Sequence, residues 1–262
     1  MAKGFFKHIP DIVYDFKSDG TYYRAKDLFR KVSAWSYLQE GVSGYNYFRI
    51  TEGERPDVVA TKLYGDSTLY WTFSLVNENL QDFNDWPKSN QLLEKYIDRK
   101  YSGKCLVASS STDIVSSTSK FKLGEKVSQS SSGAYGFVTK VNPTHNRITL
   151  NSVEGIFTSG GTVTGDDSAK SFVISSIQNE EDAVHHYLDS NDQKTTVESY
   201  TSDLSNTSDP TGNAYNYSTA NNTLVTNFEY ERDLNEDRHL IRYIESNYID
   251  IVIKEFRELV RN

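Results

Sequence analysis

The spacing of apolar residues changes several times along the chain, and each change marks a predicted element. Tyr47 to Ile50 alternates as a short strand does. Pro56 follows a Gly53–Glu54 turn and suits the first turn of a helix, whose apolar face is Val59, Ala60 and Leu63. Gly65 is placed to cap that helix at its C-terminus, and Asp66 or Ser67 to cap the next one. The second helix holds Leu69, Tyr70, Phe73, Leu75 and Val76 and ends near Asn77. A third is predicted over Ser89–Lys100, with Leu92, Leu93, Tyr96 and Ile97 inward. Before Tyr47, aromatic and charged residues mix without a period. Those residues read as an arm, with a short helical turn at Asp27–Val32.

Beyond Cys105 the pattern turns to period two. Ser109–Ser119 is rich in Ser and Thr and reads as a linker. From Phe121 to Ile177, alternating runs such as Phe121/Leu123 and Ile148/Leu150 are punctuated by glycines, as in an all-β domain. A loose repeat pairs Gly124, Val127, Phe137, Val138 and Val141 with Gly160, Val163, Phe172, Val173 and Ile177, offset by 35–36 residues. A small barrel of the SH3-like kind fits this span. Glu180–Leu188 reads as a helix. From Ser190 through Thr223 the only aliphatics larger than Ala are Val197 and Leu204, too few to bury much surface, so this is an extended polar segment. Arg238–Ile244 reads as a strand or a first helical segment. Ile249, Val252, Ile253, Phe256 and Val260 then make an apolar stripe at helical spacing, capped by Asn247. The stripe has two readings, packing on this chain's own core or on another subunit, and the first is favoured.

Composition narrows the function classes. The net charge is −8, and no run of Lys and Arg exceeds two residues, a balance that argues against a basic stripe for nucleic acid. The mean hydropathy is −0.61 and no stretch has the length of a membrane span. With Cys105 as the single cysteine, no intrachain disulfide can form, and a structural thiol is expected. The first ten residues lack the apolar run of a signal peptide, so a standard secretion route is not expected. Tyr, at 18 residues, combines contact area with a polar tip, which suits interfaces as well as cores.

Motifs for catalysis or cofactors are missing. There is no phosphate-cradling glycine loop, no zinc-protease helix and no nucleophile elbow. His185 and His186 are adjacent, a spacing that does not put two ligands on one helix face. They read as two exposed helical histidines. Glu52 and Glu54 are the acids worth inspecting as a pair, and solvated turn residues are the simpler reading.

Residues 47–77 resemble a LysM module: Gly53 and Glu54, Ala60, Tyr64, Gly65 and Asp66, Trp71 and Asn77 fall at the matching places. LysM modules then continue into a closing strand. Here the chain runs from Asp82 through Trp86 into a helix, which argues against the usual LysM activity, glycan binding. A degenerate LysM-like module followed by Trp86 and a helix resembles the baseplate wedge subunit of T-even-type contractile-tailed phages. The similarity extends to Lys26–Arg30, Phe228–Arg232, Asn235–Arg238 and the Ile241–Ile249 run before the last helix. It spans roughly residues 22–104 and 228–262; the β segment and the polar segment read as an insertion.

The expected fold is α+β: a LysM-like βαα module, an inserted all-β domain and a C-terminal amphipathic helix. The expected divisions are an N-terminal arm at 1–46, the module and its following helix at 47–104, a linker at 105–120, a small β domain at 121–180, a polar extended segment at 181–233, and a strand and helix packing back on the module at 234–262. The resemblance implies a structural, non-enzymatic subunit without cofactor or metal, joining neighbouring wedge proteins. Its partners would be other wedge and hub proteins, in multiple copies in a sixfold baseplate, with no nucleic acid or membrane. It would reside in the virion after assembly in the host cytoplasm. Tyr64, Tyr70, Trp71, Trp86 and Phe256 are the interface candidates, although Trp71 shares its helix with Phe73 and Val76 and the core competes for it. The alternative is a LysM-like peptidoglycan-binding module of a tail-tip protein. A wall hydrolase has no motif in its favour.

Overall fold

The computed structural model describes residues 9–27, 44–109, 121–189, 191–195 and 222–261. All but the first residue of the helical turn expected at Asp27–Val32, most of the linker and most of the polar segment lie outside the described residues. In chain order the elements begin with β1 (Asp11–Tyr14), β2 (Tyr23–Lys26), β3 (Tyr45–Arg49), α1 (Pro56–Tyr64), α2 (Thr72–Val76) and α3 (Asn90–Lys100). Six strands follow: β4 (Lys104–Ala108), β5 (Lys126–Gln129), β6 (Ala134–Asn142), β7 (Arg147–Glu154), β8 (Thr162–Gly165) and β9 (Ser171–Asn179). The remainder is β10 (Val184–Leu188), β11 (Lys194–Thr195), β12 (Thr223–Thr226), α4 (Asn227–Asp237), β13 (Leu240–Ile244) and α5 (Ile249–Arg261). Helices and strands are both well represented, as expected for an α+β chain. Two compact units emerge, Met1–Leu92 with Leu234–Asn262, and Leu93–Asp233.

The first unit is built on a β-α-α-β arrangement whose last strand comes from far along the chain. Pro56 occupies the first turn of α1, and Gly65 ends it at φ 70°, a left-handed conformation that costs glycine little. The Gly65 N–H donates to the Thr61 carbonyl at 2.9 Å. Asp66 then accepts from the Thr68 N–H at 2.9 Å and starts a 3-10 turn over Ser67–Leu69. The expected second helix is therefore a 3-10 turn followed by the short α2. The closing strand missing after α2 is supplied by β13, which pairs antiparallel with β3, Ile241 opposite Phe48 and Arg242 opposite Tyr47. Asn77 ties the helices to it: its Nδ2 donates to the carbonyls of Phe73 and Arg242, and its Oδ1 accepts from the Arg242 N–H, all at 2.8 Å.

Two apolar clusters fill this unit. One joins Ile50, Val59, Ala60, Phe73, Leu80 and Ile241. The other joins Leu69, Trp71 and Val76 to Ile244 and the α5 residues Ile249, Val252, Ile253 and Phe256. The α5 stripe is thus spent within its own unit, each large side chain contributing about 1.5–3 kcal/mol by burial. In α3, Leu93 and Ile97 are buried as expected, but Leu92 is 57% exposed. It lies one residue, or 100°, off the buried pair's face.

The second unit contains a closed barrel with strand order β4-β7-β6-β5-β8-β9. Exchanging β4 with β7, β5 with β8 and β6 with β9 returns the same neighbours, so the barrel has an internal two-fold. The axis passes between the facing pairs Leu106–Ile148 and Ser128–Thr164. Backbone bonds repeat with it. The Gly124 N–H donates to the Val138 carbonyl at 2.7 Å, and that of Gly160 to Ile174 at 2.8 Å. The repeat seen in sequence is real but shifts by one residue in its second strand. Val138 corresponds to Ile174, both buried, and Phe137 to Val173, both exposed. A one-residue slip in a strand reverses every side chain's face, and matching Phe137 to Phe172 by residue type makes that slip.

The two halves differ where polar side chains are buried. Glu125 and Gln129 of the first half correspond to Gly161 and Gly165 of the second. A Cβ at Gly161 would fall on Gln129 Nε2, and one at Gly165 would lie 2.6 Å from Glu125 Oε2. The glycines make room for carboxylate and amide groups that are fully engaged. Glu125 accepts from the N–H groups of Lys122 (2.6 Å) and Ser168 (2.9 Å), and Gln129 exchanges hydrogen bonds with the Thr158 backbone at 2.8 Å.

Residues 184–188, expected as helix, form β10, the centre of a three-stranded sheet between β11 and β12. Leu188 lies opposite Lys194 on one side and Thr223 on the other. Flanking strands on both edges satisfy the backbone and override a short ambiguous apolar pattern. His185 and His186 are consequently half-buried strand residues. The His185 ring stacks on Tyr230 of α4 with centroids 3.8 Å apart. Helix α4 starts with a reciprocal cap: Glu229 Oε2 accepts from the Thr226 N–H at 2.9 Å, and the Glu229 N–H donates to Thr226 Oγ1 at 3.1 Å. Cys105 is buried in β4 with its Sγ 3.4 Å from Thr149 Oγ1, and burial pushes its thiol up.

Candidate interface of the first unit

The aromatic residues singled out in the sequence gather around α1 and α2. Tyr70, Trp71 and Trp86 line a cavity of about 260 Å³ together with Pro56, Phe73 and Leu80. Ser74, Gln81 and Asp82 add polar groups to its wall. Trp86 is held at both ends. Its Nε1 donates to the Glu54 carbonyl at 2.7 Å, and its ring lies 5.8 Å from Phe73. Residues 82–85 position it through a capping box in which Asp82 and Asp85 serve each other's backbone N–H groups. Arg238 then pairs with Asp85 and also donates to the Asn79 carbonyl.

Tyr64 and Phe256 lie apart from that cavity. Tyr64 stacks on Phe73 from the α1 side at 5.9 Å and meets Tyr243 edge-on at 6.3 Å. Burial pushes its hydroxyl up to about 12. Phe256 is 3% exposed and packs on Trp71 with centroids 4.7 Å apart, so these two rings hold α5 to α2. Trp71 is itself 4% exposed; it offers one edge to the cavity and commits the rest to the core. Tyr64, Tyr70 and Trp86 are half-buried, and of these Tyr70 and Trp86 have their remaining surface at the cavity.

Pro56, Leu80, Gln81 and Asp82 join the cavity without having stood out in the sequence. The spacing of Asp82 and Asp85 ahead of Trp86 is a legible capping signal, whereas the approach of Pro56 to Leu80 depends on tertiary packing. The two acids flagged as a pair are engaged separately. Glu54 pairs with Lys62 and accepts from the Thr51 N–H, and these hold its carboxyl below the usual range. Glu52 accepts from the Asn90 N–H at 2.8 Å, at the start of α3. Among the described residues, no group of three His, Cys, Asp or Glu side chains could hold a metal ion, and no helix is long and apolar enough to cross a membrane.

Set beside known proteins, residues 4–105 match the family described as "Base plate wedge protein 53". The match takes in β3, α1, α2, α3 and the aromatic cavity, and bears out the resemblance to a baseplate wedge subunit. It supports a structural role in a phage tail baseplate. No curated protein gives a significant match to the chain.

Proposed function

Starting from a chain whose residues 4–105 carry the base plate wedge protein 53 pattern, we propose that it joins neighbouring wedge proteins as the tail baseplate assembles. The family match carries this reading. Contact residues fall in the first unit, with Trp86 and Tyr70 as the accessible rings and Trp71, Tyr64 and Phe256 as the packing that holds them in place. Aromatic side chains over a preformed cavity suit an assembly interface because they bring large contact area at low conformational cost. The partners are other wedge and hub proteins, in several copies around a sixfold baseplate, and the chain is a structural part without catalytic chemistry. Co-expression with the other tail proteins, followed by size-exclusion chromatography with light scattering, tests this. Co-elution in a defined complex is expected, and a monomer that ignores every tail protein would sink the reading.

A LysM-like glycan-binding role is the second reading. Two observations favour it: β13 completes a β-α-α-β module, and the cavity combines indole rings with Ser74, Gln81 and Asp82. Retention on cell-wall sacculi that is lost in Trp86→Ala would favour it over the wedge role.

A further inference from the structure

The two edges of the β3–β13 sheet are not equivalent. The Ile50 N–H donates to the His239 carbonyl, and the Glu245 N–H to the Gly44 carbonyl, which fixes the parity of the ladder. Residues 46 and 48 of β3 exchange hydrogen bonds with β13, while the amides and carbonyls of Tyr47 and Arg49 point away from it. On the β13 side the corresponding outward groups, the N–H and carbonyl of Arg242, are both taken by the Asn77 side-chain amide. That edge is closed. On the β3 side the Tyr47 N–H meets only the side-chain oxygen of its neighbour Asn46, at 3.0 Å. No strand other than β13 pairs with β3 among the described residues.

The outer face of the same sheet is basic and exposed on an acidic chain. Tyr47 is 59% exposed and lies opposite Arg242, whose guanidinium sits 5.8 Å from its ring. Arg242 has no carboxylate partner among the described residues, and Arg49 has only the solvent-exposed Glu236, a pair that contributes little and exchanges readily. Neither strand carries an acidic side chain, in a protein of net charge −8. An open strand edge is a template for another chain. This one adds a charge preference.

We propose that the free edge of β3 at Tyr47 and Arg49 accepts an extended acidic segment of a neighbouring tail protein as a third strand. This rests on the wedge-subunit reading and adds to it a mode of contact, β-strand addition, in which backbone bonds supply affinity and the arginines select an acidic strand. The site is separate from the aromatic cavity.

The test uses the full chain, free and in the complex formed on co-expression with the other tail proteins, with amide hydrogen exchange read residue by residue. The amides of Tyr47 and Arg49 are expected to exchange fast in the free chain and to become protected in the complex. Tyr47→Pro removes an outward N–H that β13 does not use, a change edge strands tolerate. It should leave the melting temperature of the free chain nearly unchanged and weaken the complex by about tenfold, the equivalent of one lost backbone bond. Arg49→Glu should weaken it too, and added salt should weaken the wild-type complex. A complex in which both amides still exchange fast overturns the edge proposal and leaves the wedge reading standing. Failure to form any complex overturns both. Protection that appears with self-association of the chain alone would assign the edge to a second copy and overturn the acidic partner.

Discussion

The barrel and the β-α-α-β module solve the same problem, closing a small core, in opposite ways. The barrel closes on itself. Its strands come from one stretch of chain, its two halves repeat each other, and every barrel strand has two neighbours. The module cannot close locally. Its first strand waits for Leu240–Ile244, and its second apolar cluster for α5, both delivered after the whole barrel has intervened. A locally closed unit can carry its own stability and leave no free backbone edge. A unit closed from a distance has a two-stranded sheet, and such a sheet keeps edges that something must cover. Asn77 covers one of them.

That contrast can be broken most severely at the seam between α2 and α5. Phe256→Ala removes the ring packed on Trp71 and should destabilise the first unit by about 3–5 kcal/mol, measured by denaturant unfolding. A loss below about 1 kcal/mol would mean that α5 is held by other contacts. In the barrel, Gly161→Ala should cost about 1–3 kcal/mol by overpacking, because the new methyl displaces a hydrogen-bonded Gln129. Combining it with Gln129→Ala should give a total smaller than the sum of the two single changes. Strict additivity would contradict the exchange of long side chain for glycine across the two-fold.

The closed edge of the module gives a comparable effect. Asn77→Ala leaves the Arg242 N–H and carbonyl without their partner and should cost about 1–3 kcal/mol. Asn77→Asp, which keeps an acceptor but loses the donor, should recover part of that. A smaller effect separates the units by pH. His145, His185 and His186, all in the second unit, have pKa values lowered chiefly by burial. Their neutral forms are favoured in the folded state, so that stability is present above the ordinary histidine value of 6.5 and is lost as pH falls below it. Between about pH 7 and 5, protection against hydrogen exchange, corrected for the intrinsic slowing of the reaction, should therefore fall in β10 and β12 before the β3–β13 pair. The alkaline limb runs the other way. Tyr64 and Tyr101 are raised from 10.0 to about 12, so their protonated forms stabilise the fold below pH 10 and that contribution is lost between 10 and 12. Tyr64→Phe should flatten this limb in the first unit.

Elements whose signals lie within a few residues are legible in the chain itself. Pro56 and Gly65 bracket α1, and α5 shows its stripe from Ile249 to Phe256. The Thr226/Glu229 capping box is equally local and marks the start of α4, within a stretch whose polar composition predicts an extended segment. For the candidate interface, the rings of Tyr70, Trp71 and Trp86 stand out in the chain, but their meeting at one cavity with Pro56 and Leu80 does not. That meeting depends on how a 3-10 turn and a capped loop fold back over α1.

By itself the sequence determined the bounds of α1 and the apolar stripe of α5, where the pattern turns to strands after Cys105, and that a repeat of about 36 residues runs through the β segment. It also held the match to a baseplate family. Tertiary structure decided the rest: that 184–188 is a strand, that Val138 answers to Ile174, that Leu240–Ile244 closes the module, and that Trp71 is spent on Phe256. The physical reason is common to all four. A helix satisfies its hydrogen bonds within its own segment, so its signal is local. A strand, or a ring in a core, is satisfied by a partner that sequence distance does not specify.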